Sequence, residues 1–236
     1  MPVSFRTQQL LDKSLFYDAN LKYYWTMNGN SNASTGSQDG TDTSITYTGG
    51  VFTGKDCAVF NAETDRISFG TVFAPRAING TINMWIFPTS NGESGDADYK
   101  FTSIYTKGNV YGRLGITSAN KVRAYYYDGA SVIYYDSDST LTINNWYMIT
   151  YIWSNGASSI YINGILDTSD TKSFYAMDIA GDTGTVLFGL GEEVGAGNYG
   201  YLGYLDDVSF WDRNLTADEI YGLYRLPPAQ RLQMII

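Results

Sequence analysis

From residue 22 onward, the sequence alternates between short runs of β-branched and aromatic residues and clusters of Gly, Asn, Asp and Ser. Runs of this length separated by turn residues are typical of β-strands, and scarcely any stretch between them is patterned as a helix. The predicted strands cover residues 22–27, 58–61, 66–69, 81–87, 101–105, 112–116, 121–128, 131–135, 146–153, 158–162, 185–189 and 203–211. The pattern therefore predicts an all-β fold, an antiparallel β-sandwich.

Two local motifs support this reading. Asn163-Gly164 lies between two apolar runs, and both residue types accept the positive φ angles of a two-residue hairpin turn. Near the end of the chain, Thr216 precedes Glu219 by three residues, which is the spacing of a helix capping box. The motif predicts a short helix over 217–224.

The chain is predicted to form one domain with two appended segments. Residues 1–17 are expected to form an N-terminal arm with a short helix around residues 7–15, because leucines recur there at helical spacing. Residues 18–226 form the β-sandwich domain, and residues 227–236 form an apolar tail that packs on the domain or on a neighbour. The N-terminus lacks a signal-peptide core, and no later segment is apolar for long enough to span a bilayer.

Charge and composition exclude several classes of function. The chain has 24 acidic and 15 basic residues and a net charge of −9, whereas binding to nucleic acid requires a basic surface. The same charge opposes docking on anionic lipid. The chain contains no histidine, so a Ser-His-Asp triad is impossible and the commonest transition-metal ligand is missing. Cys57 is the only cysteine, which excludes an intrachain disulfide.

Five segments, taken in order, resemble those of the laminin-G-like branch of the concanavalin-A-like jelly rolls. They are residues 18–30, the "G-K-x-x-A-x-F-N" type strand at 52–61, the "W-V-x-P" type strand at 81–88, the "W-Y…Y-x-N-G" type hairpin at 145–164, and the "D-D-V…L-T-x-x-E-I" type terminus at 203–220. The resemblance spans residues 18 to 224 and implies a jelly-roll sandwich. This fold hosts lectins, glycosidases, adhesion modules and virion parts. The resemblance therefore predicts the fold more closely than it predicts the function.

Paired acidic residues are the sequence feature that would indicate a glycosidase of this fold. Such enzymes need two carboxylates in one cleft, about 5–5.5 Å apart when the configuration is retained. The candidate pairs are Glu192-Glu193, Asp206-Asp207, Asp136/Asp138 and Asp96/Asp98. Neighbours on a strand point to opposite faces, and Asp136/Asp138 lie in a turn-like stretch, so none of these pairs predicts catalysis.

Asp206 is the most informative single acid. Strict alternation along a strand would place it on the same face as Val208 and Phe210, where a buried carboxylate must be compensated. The resemblance implies a structural Ca²⁺ with Asp206 as ligand and oxygens from Asn28, Asn30 and Asp56. The alternative is that Asp206 accepts hydrogen bonds from backbone amides or from Tyr204.

The chain is rich in tyrosine, with 21 residues, and aromatic faces with convergent polar groups suit carbohydrate. The predicted ligand-binding residues lie in three loops and are Asp96, Asp98, Asn109, Tyr111, Arg113, Asn198, Tyr199 and Tyr201. For any one tyrosine, packing on a sheet face is the alternative.

The predicted function is a non-catalytic carbohydrate-binding or adhesion module, with a glycan as partner and a location outside the cell or on a virion. The alternatives are a structural virion protein, such as a phage tail or capsid-decorating domain that binds copies of itself or other virion proteins, and a glycoside hydrolase.

Overall fold

A computed structural model describes residues 15–70, 79–91, 102–107, 112–127, 132–154, 157–170, 185–189 and 200–226. Within these residues, the strands are β1 (Leu21–Trp25), β2 (Thr41–Thr43), β3 (Thr46–Gly49), β4 (Asp56–Phe60), β5 (Arg66–Ser68), β6 (Gly80–Pro88), β7 (Thr102–Lys107), β8 (Gly112–Ile116), β9 (Val122–Tyr127), β10 (Val132–Asp136), β11 (Tyr147–Ser154), β12 (Ala157–Ile162), β13 (Ile165–Asp170), β14 (Val186–Phe188) and β15 (Gly203–Trp211). A 3-10 helix, Leu15–Tyr17, precedes β1, and an α-helix, α1 (Ala217–Arg225), follows β15.

The strands form two antiparallel sheets. The eight-stranded sheet has the order β13-β12-β11-β6-β15-β4-β3, and β1 also pairs with β15. The seven-stranded sheet has the order β10-β9-β8-β7-β14-β5-β2. Since non-consecutive strands lie side by side in both sheets, the topology is that of a jelly roll and not of a simple meander. The predicted all-β sandwich is confirmed.

The main core lies between the two sheets. It is built from the alternate residues of the strands that face inwards, and it includes Trp25, Trp153 and Phe210, each at most 1% exposed. Trp25 packs against Phe69 and Phe188 with ring centroids 4.7 and 5.6 Å apart. Such aromatic contacts between the sheets add to the burial that holds them together.

A second apolar cluster, the outer core, lies on the other face of the eight-stranded sheet. There Trp211 of β15 meets Ile220 and Leu223 of α1, all at most 1% exposed. Leu15 and Phe16 belong to the same cluster. Residues 15–17, predicted as part of an N-terminal arm, thus pack on the domain. The helix predicted around residues 7–15 lies almost entirely outside the described residues, as does the tail 227–236.

The predicted capping box and hairpin are both present. Thr216 accepts a hydrogen bond from the backbone N–H of Glu219, whose carboxylate accepts one from the backbone N–H of Thr216. Asn163 and Gly164 have φ angles of 53° and 81° and join β12 to β13. In both places a local sequence signal decides the backbone, since the hydrogen bonds and φ angles involve only neighbouring residues.

Arg213 links a residue before β1 to a residue of α1. Its guanidinium donates to the Glu219 carboxylate at 2.9 and 2.7 Å and to Asp18 Oδ2 at 2.6 Å. Burial alone would raise the pKa of both acids, but hydrogen bonds from Arg213 and from neighbouring backbone N–H groups outweigh it and hold both pKa values below their usual range. We call this group, Arg213 with Asp18 and Glu219, the Arg213 clasp.

No helix among the described residues is long and apolar enough to cross a membrane.

Candidate functional site

The outer face of the seven-stranded sheet carries a row of aromatic and basic side chains. Leu114 and Ala124 belong to the inter-sheet core, so their strand neighbours Arg113 and Tyr125 point to the opposite face. Tyr125 is the register partner of both Arg113 on β8 and Tyr134 on β10. The pairing therefore brings one arginine and two tyrosines into line across three strands.

The next row on this face holds an ion pair that stacks on one of those tyrosines. Arg123 Nε lies 2.6 Å from Asp136 Oδ1, and Arg123 Nη2 lies 2.8 Å from Asp136 Oδ2. The guanidinium carbon stands 4.3 Å from the centroid of the Tyr134 ring. The Arg123 and Asp136 side chains are 14% and 27% exposed, and Tyr134 is half-buried. We call Arg123, Tyr134 and Asp136 the Arg123 cluster.

The Arg123 cluster combines planar polar groups with an aromatic ring on two neighbouring strands, and all three side chains are partly buried. A bidentate arginine–carboxylate pair fixes the orientation of both partners, so the strands that carry Arg123 and Asp136 set the geometry of this polar group. None of these three residues was predicted as a ligand-binding residue. The available signal was alternation: Arg123 and Tyr125 share a face on one predicted strand, and Tyr134 lies on the next.

Two predicted ligand residues are placed differently from the prediction. Arg113 is the second residue of β8 and not part of a loop, and it is 0% exposed. Tyr201 is 1% exposed, accepts a hydrogen bond from the Phe87 N–H and donates one to the Tyr204 carbonyl. Burial raises the pKa of the Tyr201 phenol. Both side chains are thus buried away from solvent. The other predicted ligand residues lie outside the described residues; they are Asp96, Asp98, Asn109, Tyr111, Asn198 and Tyr199.

The predicted calcium ligands lie around a junction where β15 changes partner. Residues Gly203 to Leu205 pair with β4, whereas Val208 to Trp211 pair with β1. The change is made by a bulge in which Asp207 has a φ of 52°. Positive φ is uncommon outside glycine and is tolerated best by Asn and Asp.

The bulge corrects the predicted orientation of Asp206. Leu205 and Val208 both face the inter-sheet core, although two residues separate them. Asp206 is instead the register partner of Trp85, which belongs to the outer core. Asp206 therefore points away from Val208 and Phe210, because the extra residue reverses the alternation. It remains buried, at 1% exposed.

The structure brings some of the four predicted metal ligands close to one another. Asp206 Oδ2 accepts a hydrogen bond from the Val51 N–H at 3.1 Å, which agrees with the alternative reading of a backbone-bonded carboxylate. Asn28 Oδ1 accepts one from the Asp56 N–H at 3.1 Å. Asn30 Oδ1 is bonded locally, to the Asn32 N–H at 2.9 Å.

The Cys57 thiol lies near the carboxylates of Asp206 and Asp56. Burial, together with the negative charges of Asp206 and Asp56, raises the pKa of the Cys57 thiol to about 12. Both acids adjoin this strand position, since Asp56 precedes Cys57 in β4 and Leu205, the neighbour of Asp206, pairs with Ala58. Within the described residues, however, no group of three or more His, Cys, Asp or Glu side chains is arranged to hold a metal ion. Any cation here would take most of its ligands from amide and backbone oxygens.

Adjacent Asp206 and Asp207 are both buried. Asp207 is 4% exposed, and its carboxylate accepts a buried hydrogen bond from the Tyr24 hydroxyl. Asp136 is held by Arg123, and Asp138 lies beyond the end of β10, where its N–H donates to Asp167 Oδ1 at 2.6 Å. Among the described acids of these pairs, Asp206 and Asp207 are buried and Asp136 is ion-paired, whereas the Asp138 side chain is exposed. Glycoside hydrolysis needs two carboxylates that face one cleft.

A family model described as "Concanavalin A-like lectin/glucanases superfamily" matches residues 61–221. No curated protein matched the chain. Among solved structures, domain 4 of AbnA, a GH43 extracellular arabinanase from Geobacillus stearothermophilus in complex with arabinotriose, is similar with a TM-score of 0.68 and 16% identity over 87% of this chain and 98% of that one.

Two further structures are similar. The binding domain of Paraclostridial Mosquitocidal Protein 1 has a TM-score of 0.65 and 16% identity, covering 90% of this chain and 52% of that one. The Ruminococcus gnavus IT-sialidase CBM40 bound to α2,3 sialyllactose has a TM-score of 0.54 and 20% identity, covering 64% of this chain and 85% of that one. At these identities, the likeness establishes the fold alone.

Proposed function

The chain belongs to the concanavalin A-like lectin/glucanase superfamily, and we propose that it is a non-catalytic carbohydrate-binding module. The observation that carries the proposal is the Arg123 cluster on the outer face of the seven-stranded sheet. A sugar is recognised by an aromatic ring against its apolar face and by fixed polar groups around its hydroxyls. Tyr134 supplies the ring, and Arg123 with Asp136 supplies donors and acceptors.

The similar structures support this class of ligand. One is a domain in complex with arabinotriose and another is a domain bound to sialyllactose. With a glycan as partner, we propose a location outside the cell or on a virion.

The non-catalytic assignment rests on the acids and on the lack of histidine in the chain. Asp206 and Asp207 are buried and hydrogen-bonded, and Asp136 forms an ion pair with Arg123. A hydrolase reading would require turnover of a glycoside that one Asp or Glu substitution abolishes. The features that suggested virion assembly, the N-terminal arm and the apolar tail, lie almost wholly outside the described residues. No described contact favours that role over glycan binding.

The proposal includes a structural Ca²⁺ at the β15 junction, with Asp206, Asp56, Asn28 and Asn30 as candidate ligands. Carboxylate and amide oxygens are the ligand class that Ca²⁺ takes, although its usual coordination needs about six to eight oxygens. Asn30 is the least suitable of the four candidate ligands, because its side-chain oxygen already accepts a hydrogen bond from the Asn32 N–H. We expect added Ca²⁺ to raise the melting temperature, chelator to reverse the rise, and Asp206→Asn to abolish it. An identical response in Asp206→Asn and the unmodified protein would remove Ca²⁺ from the proposal.

A glycan array probed with and without chelator tests the main proposal. Once a binding glycan is found, Tyr134→Leu and Arg123→Gln should each weaken binding by about tenfold or more, since aromatic and arginine side chains dominate such contacts. The matched control is Tyr17→Leu, because Tyr17 is a 69%-exposed tyrosine before β1, in the 3-10 helix on the eight-stranded sheet. The proposal fails if the folded protein binds no glycan. Its assignment to the Arg123 cluster fails if neither substitution weakens binding.

A further inference from the structure

A second group of aromatic rings lies on the opposite side of the molecule, on the outer face of the eight-stranded sheet. Ile86 and Leu205 face the inter-sheet core, so Phe87 and Tyr204 point outwards. These two residues are register partners on β6 and β15. Trp146, immediately before β11, lies beside Phe87. All three side chains are half-buried.

The three rings pack as a triangle. The centroids of Phe87 and Tyr204 are 5.2 Å apart, with the ring planes stacked at 11°. The Trp146 centroid lies 5.4 Å from Phe87 and 6.2 Å from Tyr204, with the indole tilted by 55° and 50°. We call these residues the aromatic triangle. Because each ring is braced by the other two, the surface that they leave exposed is fixed before any ligand arrives.

The backbone beneath the aromatic triangle is tied together across three strands. The Asn144 N–H donates to the Pro88 carbonyl at 2.7 Å, and the Thr89 N–H donates to the Leu202 carbonyl at 3.1 Å. The loop before β11 and the start of β15 are thus both anchored to the end of β6. This anchoring makes the aromatic triangle a rigid platform and not a mobile loop tip.

The described segments that directly flank the platform are polar but uncharged. The segments that form this end of the sheet contain no Asp, Glu, Lys or Arg; they are residues 44–47, 58–61, 86–91, 142–147 and 202–205. They are rich instead in Asn, Thr and Ser. Asp206 lies two residues further along β15 but is buried, at 1% exposed. These described segments therefore offer an ionic partner no opposite charge to pair with.

We propose that the aromatic triangle is a second carbohydrate contact, one that takes an uncharged sugar residue. A partly exposed indole with flanking rings accepts the C–H face of a sugar, while amides and hydroxyls satisfy its OH groups. A sialic or uronic acid would find no basic residue in these segments to pair with its carboxylate. This inference rests on the proposed glycan-binding function and adds to it a second surface and a ligand class.

Trp146 gives the surface its own optical signal. All five tryptophans lie among the described residues, and the other four are at most 7% exposed. Acrylamide, which quenches exposed indoles, therefore reports mainly on Trp146. We expect neutral probes, arabinotriose and cellopentaose, to reduce this quenching in the unmodified protein, and α2,3-sialyllactose to leave it unchanged.

Calorimetry on variants separates this inference from the proposed function. Trp146→Ala should weaken neutral-probe binding by about tenfold or more, Trp146→Phe should weaken it less, and Tyr17→Leu should leave it unchanged. Circular dichroism and melting curves identify variants that fail to fold, and Trp146→Phe keeps the test valid if Trp146→Ala does not fold. Equal neutral-probe affinity in the unmodified protein and both Trp146 variants overturns the inference and leaves the proposed function standing. Protection of Trp146 by sialyllactose overturns the uncharged assignment. Failure of every probe and every array glycan to bind overturns both proposals.

Discussion

Removing the Arg213 guanidinium is expected to destabilise the domain and to weaken its response to acid. Arg213 makes three charged hydrogen bonds of 2.6–2.9 Å, and the side chains of Arg213, Asp18 and Glu219 are 28%, 16% and 27% exposed. Hydrogen bonds to charged groups contribute about 1.5–3 kcal/mol each, but those that share one guanidinium do not add. We therefore expect Arg213→Gln to lower the free energy of unfolding by about 2–4 kcal/mol.

The corresponding fall in melting temperature is about 4–16 °C, since a domain of this size loses about 2–4 °C per kcal/mol. The matched control is Lys22→Gln. Lys22 forms an ion pair with Asp212 at 2.9 Å, but the two side chains are 43% and 32% exposed. Exposed pairs contribute about 0–1 kcal/mol, so this variant should melt near the unmodified protein.

The pH dependence tests the cause of the loss. Because the folded-state pKa values of Asp18 and Glu219 lie below the usual 3.8 and 4.5, their stabilisation is complete above those values. It is lost as the pH falls through the lowered pKa values and the acids become protonated. Urea denaturation at neutral pH and near pH 2–3 should therefore show a large difference between Arg213→Gln and the unmodified protein at neutral pH, and a smaller one in acid. A difference that is the same at both pH values, or no larger than that of Lys22→Gln, would refute the reasoning.

Three further substitutions or reagents test local features. Thr216→Ala removes the helix cap and should lower the free energy of unfolding by about 1 kcal/mol in urea denaturation. Gly164→Ala puts a Cβ at a φ of 81° and 2.9 Å from Tyr224 Cβ, whereas Gly54→Ala meets nothing within 4 Å at a φ of 75°, so the first variant should melt lower. Equal melting temperatures would contradict the contact. Cys57, buried and with a pKa near 12, should react with a thiol reagent at pH 8 only after unfolding, and rapid reaction of the folded protein would contradict its burial.

The parts of the fold set by local chemistry could be predicted from the sequence. The hairpin at Asn163-Gly164 depends on φ angles that those two residues accept, and the helix at 217–225 begins at its predicted cap. The short strands Thr41–Thr43 and Thr46–Gly49 were not predicted, because they carry few apolar residues and are defined by their partners in the sheets.

The candidate site was harder to predict because it depends on register. Arg123 and Asp136 meet because β9 and β10 pair in a particular register, which no single run of residues specifies. The orientation of Asp206 was mispredicted for a related reason. A one-residue bulge at Asp207 reverses the alternation of every position before it relative to those after it, and nothing in the strand's apolar pattern marks that bulge.

The Arg213 clasp also has a consequence for how this fold is combined with others. Leu21 and Trp211 are register partners, and Asp18 and Glu219 share one guanidinium, so the first and last described strands run side by side. A domain whose ends are neighbours can be spliced into a surface loop of a host protein without stretching it, or circularly permuted by a short new linker. In an inserted or permuted domain, the Arg213 clasp would hold Asp18 and Glu219 together. Arg213→Gln would weaken that contact without changing either candidate glycan surface.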